Sequence, residues 1–497
     1  MNIPWLLTPV LVVWALWRPL RASFSRRFAI AYPDLAPKLR LALGLTSLPL
    51  VAVYVFLPGW VWLTGVTALT FIALERMRAR PSWGQRRRLP PGSLGLFPET
   101  WSDDRFYLRQ AGKFGPIFKS SNFLRPTICV VGLEQGIQLL REHEQSLETP
   151  WLPFAEFVPG GMLRYMHEPQ HAYYRSVFRR ALAPKIIGEF DAMFTENIKR
   201  TLSRVSKDCA AGKDGINPLP YLEQMMLELW FSLFFAVERE SPGWERLVKF
   251  YPLIDIANPA RASANQIRNA VAEIRAVVED QVSGWRGLPP PCLLGAILKE
   301  DPALAEDHVV MGNLIYMLTT TAADMSALLC WIIKMASDHP ALLERIAVEP
   351  RAHDELSQPP LVERFVMETL RMRQSEFIYR AVVRDFNFAG YRFPSGWLLR
   401  ICVWESHRDP AVFPDPDRFD PDRFLNRSFT RSEYSPFGAS THACLAPFLV
   451  TTIARIFTAE LVNGFTLSCP ADTPVELASS RHWAPGSAFR ILIRPRG

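Results

Sequence analysis

The chain has 497 residues, a formal net charge of +7, 21% charged residues and 49% hydrophobic residues. That length suits one large domain with an appendage, and the composition excludes both a disordered chain and one embedded in a membrane throughout. Seven scattered cysteines without a CxxC pair exclude a disulfide framework and a cysteine-based zinc site, and favour a reducing compartment. The positive excess is local, so we expect no nucleic-acid partner.

Residues 1–80 are predicted to form a membrane anchor. Residues 3–17 are almost entirely apolar, and residues 41–74 carry no charge and run into an arginine-rich stretch. A single helix over 41–74 would measure about 51 Å, well beyond the roughly 30 Å hydrocarbon core of a bilayer. Because Pro58-Gly59 lies at its middle and both flanks are basic, a hairpin with both ends on the cytosolic side is expected. One tilted span with interfacial helices is the alternative.

Residues 81–98 are basic and proline-rich and are predicted to form a hinge that contacts anionic head groups. Residues 99–497 then have globular character, mainly α-helical with small β-sheets (α+β). The predicted elements, in chain order, are a strand at 125–131, helices at 133–143, 168–183, 218–237, 307–337 and 359–372, short strands within 386–400, a turn-rich segment at 405–431 and a helix at 445–461.

One cysteine lies in the segment SPFGASTHACLAPF, residues 435–448. Taken alone, a cysteine among small residues is more often a core thiol than a ligand. Cys444 nevertheless stands just before a predicted helix, whose N-terminal partial positive charge stabilises a thiolate. The small residues around it would let a flat cofactor approach the loop, and His442 could reach an anionic group at the cofactor's edge.

The stretch FGASTHACLA resembles the heme-binding loop of the cytochrome P450 family. Phe437, Gly438, His442, Cys444 and Ala446 match that pattern, although Ala446 replaces the more common glycine. Ser440 departs from it, because the family usually has glycine there.

The resemblance extends over nearly the whole chain after the anchor. ETLR supplies the family's Glu-x-x-Arg pair as Glu368 and Arg371, and HRDPAVFPDPDRFDPDRFL supplies Arg423 as the third member of its ion-pair network. EPQHAYYR and IYRAVV place Arg175 and Arg380 where the family contacts the heme propionates. PPGSLGLF is similar to the family's hinge, and KFGPIFK is similar to the opening of its first sheet.

The resemblance implies a cytochrome P450 fold that binds heme b, with the Cys444 thiolate as the axial ligand of the iron. A thiolate in that position favours O–O cleavage. Phe437 and Gly438 would contact the heme, while Arg175, Arg380 and His442 would bind its propionates. Electrons would come from NADPH through a separate reductase, because no flavin or iron–sulfur segment follows.

The central helix departs from the family pattern. The family usually has an acid followed by a threonine there, and the threonine helps to deliver protons during oxygen activation. Counting back from His339-Pro340 puts Ala323 and Asp324 at these two positions, with Thr320 and Thr321 one turn earlier. A count shifted by one residue would make Asp324 the acid, and still no threonine would follow it.

Three interpretations of this departure stay open. Asp324, with Thr320, Thr321 or water, forms a substitute proton relay, or the enzyme does not carry out ordinary hydroxylation. A structural role for Asp324 inside the helix is the third reading.

The sequence thus predicts a monooxygenase that oxidises a lipophilic small molecule with O2, in secondary metabolism. The alternatives are a heme-thiolate isomerase, dehydratase or desaturase, and a heme-binding protein without catalytic activity. The expected location is the endoplasmic reticulum membrane with a cytosol-facing catalytic domain in a eukaryote, or the inner membrane in a bacterium, in contact with membrane lipid.

Overall fold

The computed structural model describes residues 89–94, 105–122, 125–150, 157, 161–211, 215–254, 262–285, 289–349, 359–374, 378–425, 427–470, 485 and 489–496. The predicted anchor at 1–80 and most of the hinge at 81–98 lie outside these residues and stay predictions. Among the described residues one helix, His308–Asp338, is long and apolar enough to cross a membrane, and 67% of its most apolar window is buried inside the protein.

The described residues contain fourteen α-helices. They are α1 (Phe106–Phe114), α2 (Leu133–Glu142), α3 (Gln170–Ala181), α4 (Pro184–Gly188), α5 (Asp191–Ala211), α6 (Leu219–Phe235), α7 (Pro242–Ile254), α8 (Ala264–Gly284), α9 (Leu293–Glu300), α10 (His308–Asp338), α11 (Pro340–Val348), α12 (Leu361–Thr369), α13 (Val403–Ser406) and α14 (Pro447–Gly464). A π-helical turn at Leu370–Gln374 follows α12 directly. Short 3-10 turns lie at Glu144–Ser146, Leu163–Tyr165, Pro302–Glu306 and Pro421–Phe424.

Nine short strands accompany the helices in the described part of the chain. They are β1 (Ile117–Asn122), β2 (Arg125–Val131), β3 (Leu147–Glu148), β4 (Ile378–Val382), β5 (Phe386–Phe388), β6 (Tyr391–Phe393), β7 (Leu398–Cys402), β8 (Phe465–Ser468) and β9 (Leu492–Pro495). The prediction of a mainly helical protein with small sheets is therefore confirmed. The chain divides into two compact units, Met1–Pro150 with Phe377–Ser406 and Trp151–Glu376 with His407–Gly497.

The first unit is built on a five-stranded sheet in the order β1-β2-β7-β4-β3. Strand β2 pairs in parallel with β7, and the other neighbours are antiparallel. Its sequence RPTICVV is rich in β-branched residues, which favours a strand. All five residues of β7 are buried. Helix α2 lies close to β7 at Gly136, where a Cβ atom would come within 2.5 Å of the Ile401 side chain.

The described residues of the predicted hinge lie beside β1. The backbone N–H of Lys119 donates to the Pro91 carbonyl at 2.7 Å, and the Lys119 ammonium group donates to the Pro90 carbonyl at the same distance. Gly92 has a φ of +117°, and a Cβ atom there would come within 2.2 Å of the Lys119 carbonyl oxygen. Only glycine fits this close approach.

The second unit is built around α10. Its 31 residues are apolar around most of the circumference, as expected for a helix buried on several sides. Helices α6, α8, α12 and α14 pack against it. Its start is fixed by Asp307, whose carboxylate accepts hydrogen bonds from the backbone N–H groups of Val309 and Val310. The Tyr174 hydroxyl donates to the same carboxylate at 2.9 Å, which ties α3 to the start of α10.

Candidate functional site

Cys444 lies in a tight loop that leads into α14. The backbone N–H of Cys444 donates to the Phe437 carbonyl at 2.9 Å, which closes the loop on itself. Two residues inside it have left-handed backbone conformations, Gly438 with a φ of +76° and Ser440 with a φ of +68°. The aromatic side chain of Phe437 packs against the core. The loop geometry is thus set by short-range hydrogen bonds and one apolar anchor.

The thiol of Cys444 differs from the other cysteines. It is exposed, whereas Cys469 is half-buried and the remaining five are buried. The surrounding protein raises the pKa of the Cys444 thiol by desolvation. The backbone N–H of Ala446, 3.4 Å from the sulfur, acts in the opposite direction, as does the Arg175 guanidinium. A thiol that is accessible, receives a backbone hydrogen bond and lies near a cation is suited to act as a metal ligand.

Helix α3 brings Arg175 to the same loop. Its guanidinium donates to the Ala443 carbonyl at 3.0 Å. Burial and the nearby Arg179 lower the pKa of Arg175, while Cys444 raises it. The predicted pair of Arg175 and His442 is therefore gathered at one loop, and its role toward the heme propionates stays a prediction.

His171, which was not predicted from the sequence, also lies at this loop. Its ring lies 4.9 Å from the ring of His442 and is only 2% exposed. Nδ1 is 3.1 Å from Glu168, whereas Nε2 is buried without a partner in the described part of the protein. His171 stands four residues before Arg175, so both side chains lie on one face of α3. This spacing is the feature of the sequence from which the position of His171 could have been predicted.

Arg380, the third predicted propionate contact, lies on β4 in the first unit. Its side chain is 8% exposed, and Nη1 donates to the Tyr379 carbonyl at 2.8 Å. The proposed contact of Arg380 with a heme propionate stays a prediction.

The predicted ion-pair network around Glu368 is formed in the second unit. Arg371 makes a two-pronged contact with Glu368, at 2.7 Å from Nε and 2.9 Å from Nη2, and both residues are fully buried. Arg423 Nε donates to the same carboxylate at 3.0 Å, and the Asp420 backbone N–H donates at 2.9 Å. Arg371 also donates to the His407 carbonyl at 2.7 Å. The network therefore joins α12 and its π-helical turn to the segment before the cysteine loop.

One face of α10 is less tightly packed than the rest of the helix. From Val309 to Ala336 most residues of α10 are buried, and the half-buried ones between residues 316 and 324 are Tyr316, Met317, Thr320, Thr321, Ala323 and Asp324. Their spacing of one, three and four residues places them along a single helical face. We call this set the open face of α10.

The open face points toward the cysteine loop at its Asp324 end. The Asp324 carboxylate contributes to raising the pKa of the Cys444 thiol, an interaction that requires the two side chains to be near each other. Asp324 is thus the member of the open face whose charge acts on Cys444, and the roles of Asp324, Thr320 and Thr321 stay predictions.

The two threonine hydroxyls are bonded to their own helix. Thr321 donates to the Met317 carbonyl at 2.7 Å, and Thr320 lies 3.2 Å and 3.3 Å from the carbonyls of Met317 and Tyr316. Since these bonds use the hydroxyl hydrogens, each oxygen is left with acceptor capacity only. Asp324 is therefore the better candidate of the three for moving a proton.

The donor set around Cys444 fits a heme. A single accessible thiol supplies one soft metal ligand. The guanidinium of Arg175 and the imidazoles of His171 and His442 lie at the same loop, and the buried Nε2 atom of His171 needs a partner. This set matches a flat group that carries both a metal ion and carboxylates.

Comparisons with known proteins agree with this geometry. The sequence profile of the cytochrome P450 family matches residues 291–486. The chain is 31% identical over 413 residues to abscisic acid 8'-hydroxylase 3 of Oryza sativa subsp. japonica, covering 76% of this chain and 81% of that protein. It is 24% identical over 408 residues to taxane 13-alpha-hydroxylase of Taxus cuspidata, covering 72% of this chain and 81% of the relative.

A solved structure of a cyanobacterial cytochrome P450 with retinoic acid bound superposes with a TM-score of 0.69 at 20% identity. The match covers 82% of this chain and 100% of that one. At this identity the similarity is one of fold.

Proposed function

The chain belongs to the cytochrome P450 family of heme monooxygenases, and from this premise we propose that the Cys444 thiolate would bind the iron of a heme and that the enzyme hydroxylates a lipophilic small molecule of secondary metabolism. The observation that supports this most directly is the exposed Cys444 thiol, which interacts electrostatically with Arg175 and Asp324. The relatives are hydroxylases of abscisic acid and of a taxane, which supports a lipophilic substrate.

Heme held by this thiolate would supply the activation of O2, with electrons from NADPH through a separate reductase. The chain's own residues would bind the heme and fix the segments around it. Arg175, His442 and His171 would bind propionates through charge-assisted hydrogen bonds. The network of Glu368, Arg371 and Arg423 would hold the segment that leads to the cysteine loop rigid.

Asp324 would carry protons into the site. Its carboxyl group lies on the open face of α10 toward Cys444, and a carboxyl group can take a proton from water and release it at the site in the next step. The apolar members of the open face, Met317 and Ala323, would contact the substrate and exclude bulk water.

Membrane attachment through residues 1–80 is part of the proposal. The supporting observation is the pair of apolar segments, 3–17 and 41–74, with basic residues after each. The catalytic domain would then face the cytosol at the endoplasmic reticulum, or at the inner membrane of a bacterium, where its lipophilic substrate partitions.

The test is turnover by purified full-length protein with NADPH, a reductase and labelled oxygen gas, using a library of lipophilic compounds. We expect a reduced, CO-bound band near 450 nm, typical of thiolate ligation, and a product that carries one labelled oxygen atom. Cys444→Ser should abolish the band, whereas Cys469→Ser, the half-buried control, should keep it. A 450 nm band in Cys444→Ser would show that another residue is the ligand.

An isomerase, dehydratase or desaturase is the second candidate. The observation behind it is the open face itself, where Ala323 and Asp324 stand in place of the family's acid and threonine. Product formation without NADPH and reductase would select an isomerase or a dehydratase, and strict dependence on both would exclude these two. A product lacking the labelled oxygen but dependent on NADPH would indicate desaturation.

A further inference from the structure

Arg164 occupies an unusual position in the second unit. It lies in the 3-10 turn Leu163–Tyr165, between apolar residues that are buried, Met162, Leu163 and Met166. Its guanidinium is half-buried and donates from Nη1 to the Tyr316 hydroxyl at 3.3 Å. The Tyr165 ring lies 5.7 Å from the same group.

No carboxylate compensates this charge among the residues that the structure describes. Several other arginines of the second unit reach an acid within 4 Å, including Arg200 with Glu228 and Arg246 with Glu273. Arg164 has two tyrosines instead. A guanidinium held among apolar side chains and phenols is costly to desolvate unless an anion joins it.

The turn that carries Arg164 is fixed to α10 by a buried amide. The Asn313 side chain accepts from the Leu163 backbone N–H at 2.7 Å and donates to the Gly161 carbonyl at 2.9 Å. Asn313 is fully buried, and its Nδ2 also donates to the Val309 carbonyl. Since Leu163 and Gly161 are both bonded to α10, the Arg164 side chain is held beside Tyr316 before any ligand binds.

Tyr316 is the first residue of the open face of α10, and Asp324 is the last. The two are eight residues apart, which corresponds to about 12 Å along the helix. One end of this face therefore offers a cation with a phenol, and the other end faces the proposed heme ligand Cys444.

We infer that Arg164 and Tyr316 bind the carboxylate of the substrate, which makes the substrate a lipophilic carboxylic acid. This inference rests on the proposed function, because it assigns a role to one end of the same open face of α10. A guanidinium binds a planar carboxylate through two parallel hydrogen bonds, and the phenol offers a third polar contact. A phosphate dianion would need more donors than one arginine and one tyrosine provide. The carbon that reacts would lie within about 12 Å of the carboxylate, measured along α10.

The test is a titration of the heme-loaded full-length protein, followed through the substrate-induced Soret shift. The probes are dodecanoic, hexadecanoic, farnesoic and abietic acids, each compared with its methyl ester. We expect at least one acid to bind ten- to a hundredfold more tightly than its ester, as for a charged hydrogen bond in a partly buried site. If no acid in the panel is preferred over its ester by wild-type protein, the inference is wrong.

Three variants locate the preference. Arg164→Gln should reduce the acid-to-ester ratio to about one without changing ester affinity, Arg164→Lys should keep part of it, and Tyr316→Phe should reduce it severalfold. Arg204→Gln is the matched control, since Arg204 also lies near a tyrosine ring, 5.4 Å from that of Tyr221, but is exposed. An unchanged ratio in Arg164→Gln contradicts the inference.

A heme propionate is the other carboxylate that Arg164 could meet. In that case Arg164→Gln would release heme and weaken acids and esters equally, which would overturn the inference. Failure of the proposed function looks different, because wild-type protein would then lack the 450 nm band and oxygen-dependent turnover. If wild-type protein shows the 450 nm band and oxygen-dependent turnover but no preference for acids over esters, the proposed function stands and only the inferred substrate class is wrong.

Discussion

The Nε2 atom of His407 accepts a hydrogen bond from the backbone N–H of Ser435 at 3.0 Å. The His407 carbonyl in turn accepts from Arg371 at 2.7 Å. One buried histidine therefore joins the Glu368 network to the first residue of the segment that holds Cys444. An imidazole nitrogen that accepts from an N–H group has no room for a proton, so the neutral form of His407 is the one that fits.

Acid should destabilise the protein through His407. Burial, followed by the charges of Arg371 and Arg408, lowers the pKa of His407 from 6.5 to about 3. Between these pH values the unfolded chain binds a proton that the folded protein excludes. The contribution of His407 to the free energy of unfolding is therefore fully present above pH 6.5 and is lost as the pH drops toward 3. The loss is at most ~1.4 kcal/mol per pH unit from this group.

The measurement is chemical unfolding between pH 7.5 and 5. The His407→Gln variant should be less stable at pH 7.5 but should have a flatter pH dependence. His167→Gln, at an exposed histidine, should follow the wild type. A slope in His407→Gln as steep as that of the wild type would assign the acid sensitivity to other groups.

Removal of Arg371 should cost more stability than removal of a surface arginine. Among the described residues, Arg371→Ala leaves Arg423 as the single cation paired with the fully buried Glu368 carboxylate, and breaking a buried pair costs about 3–5 kcal/mol. Arg371→Lys keeps the positive charge but loses the two-pronged contact, so its stability should lie between those of the wild type and Arg371→Ala.

Denaturant midpoints and heme content measure this effect. The control is Arg246→Ala, which breaks a solvent-exposed pair with Glu273 and Asp280. Equal losses of stability in the two alanine variants would mean that the Glu368 network does not stabilise the segment that leads to the cysteine loop.

Asp324→Asn should uncouple electron consumption from product formation. The amide keeps the size of the side chain but cannot release a proton, so product formation should fall about a hundredfold. NADPH oxidation should continue, with hydrogen peroxide in place of product.

The ratio of product to NADPH consumed is the readout. Asp338→Asn, at the far end of α10 and paired with Lys334, should leave the ratio unchanged. A normal ratio in Asp324→Asn would assign Asp324 a structural role.

Ser440→Gly should stabilise the cysteine loop. Ser440 has a φ of +68°, a conformation that costs a residue with a side chain about 1 kcal/mol relative to glycine. We expect a gain of up to ~1 kcal/mol in unfolding free energy and an unchanged 450 nm band. Ser440→Ala keeps the Cβ atom and should show no such gain. A loss of stability in Ser440→Gly would indicate that the hydroxyl group has a role of its own.

The sequence was sufficient to predict those elements and pairs that depend on residues close together in the chain. The β-branched run at 125–131 predicted β2 with correct bounds, and the apolar stretch at 307–337 predicted α10 to within one residue at each end. The spacing of Glu368 and Arg371 indicated a pair on one helical face, and the structure contains that pair. Hydrophobic periodicity and capping act over a few residues, so they can be read from the chain itself.

What the tertiary structure decided is which distant side chains meet. Nothing in the sequence near Arg164 indicates that Asn313 holds its turn beside Tyr316, because the two segments are 150 residues apart. The same holds for His171 beside His442 and for His407 beside Ser435. Periodicity fixes the direction of a side chain on its own helix, but its partner depends on how the helices pack. The sequence by itself therefore determined elements such as β2 and α10 and located the cysteine loop, whereas only the packing of the helices and turns decided that Arg164 meets Tyr316 and that His171 meets His442.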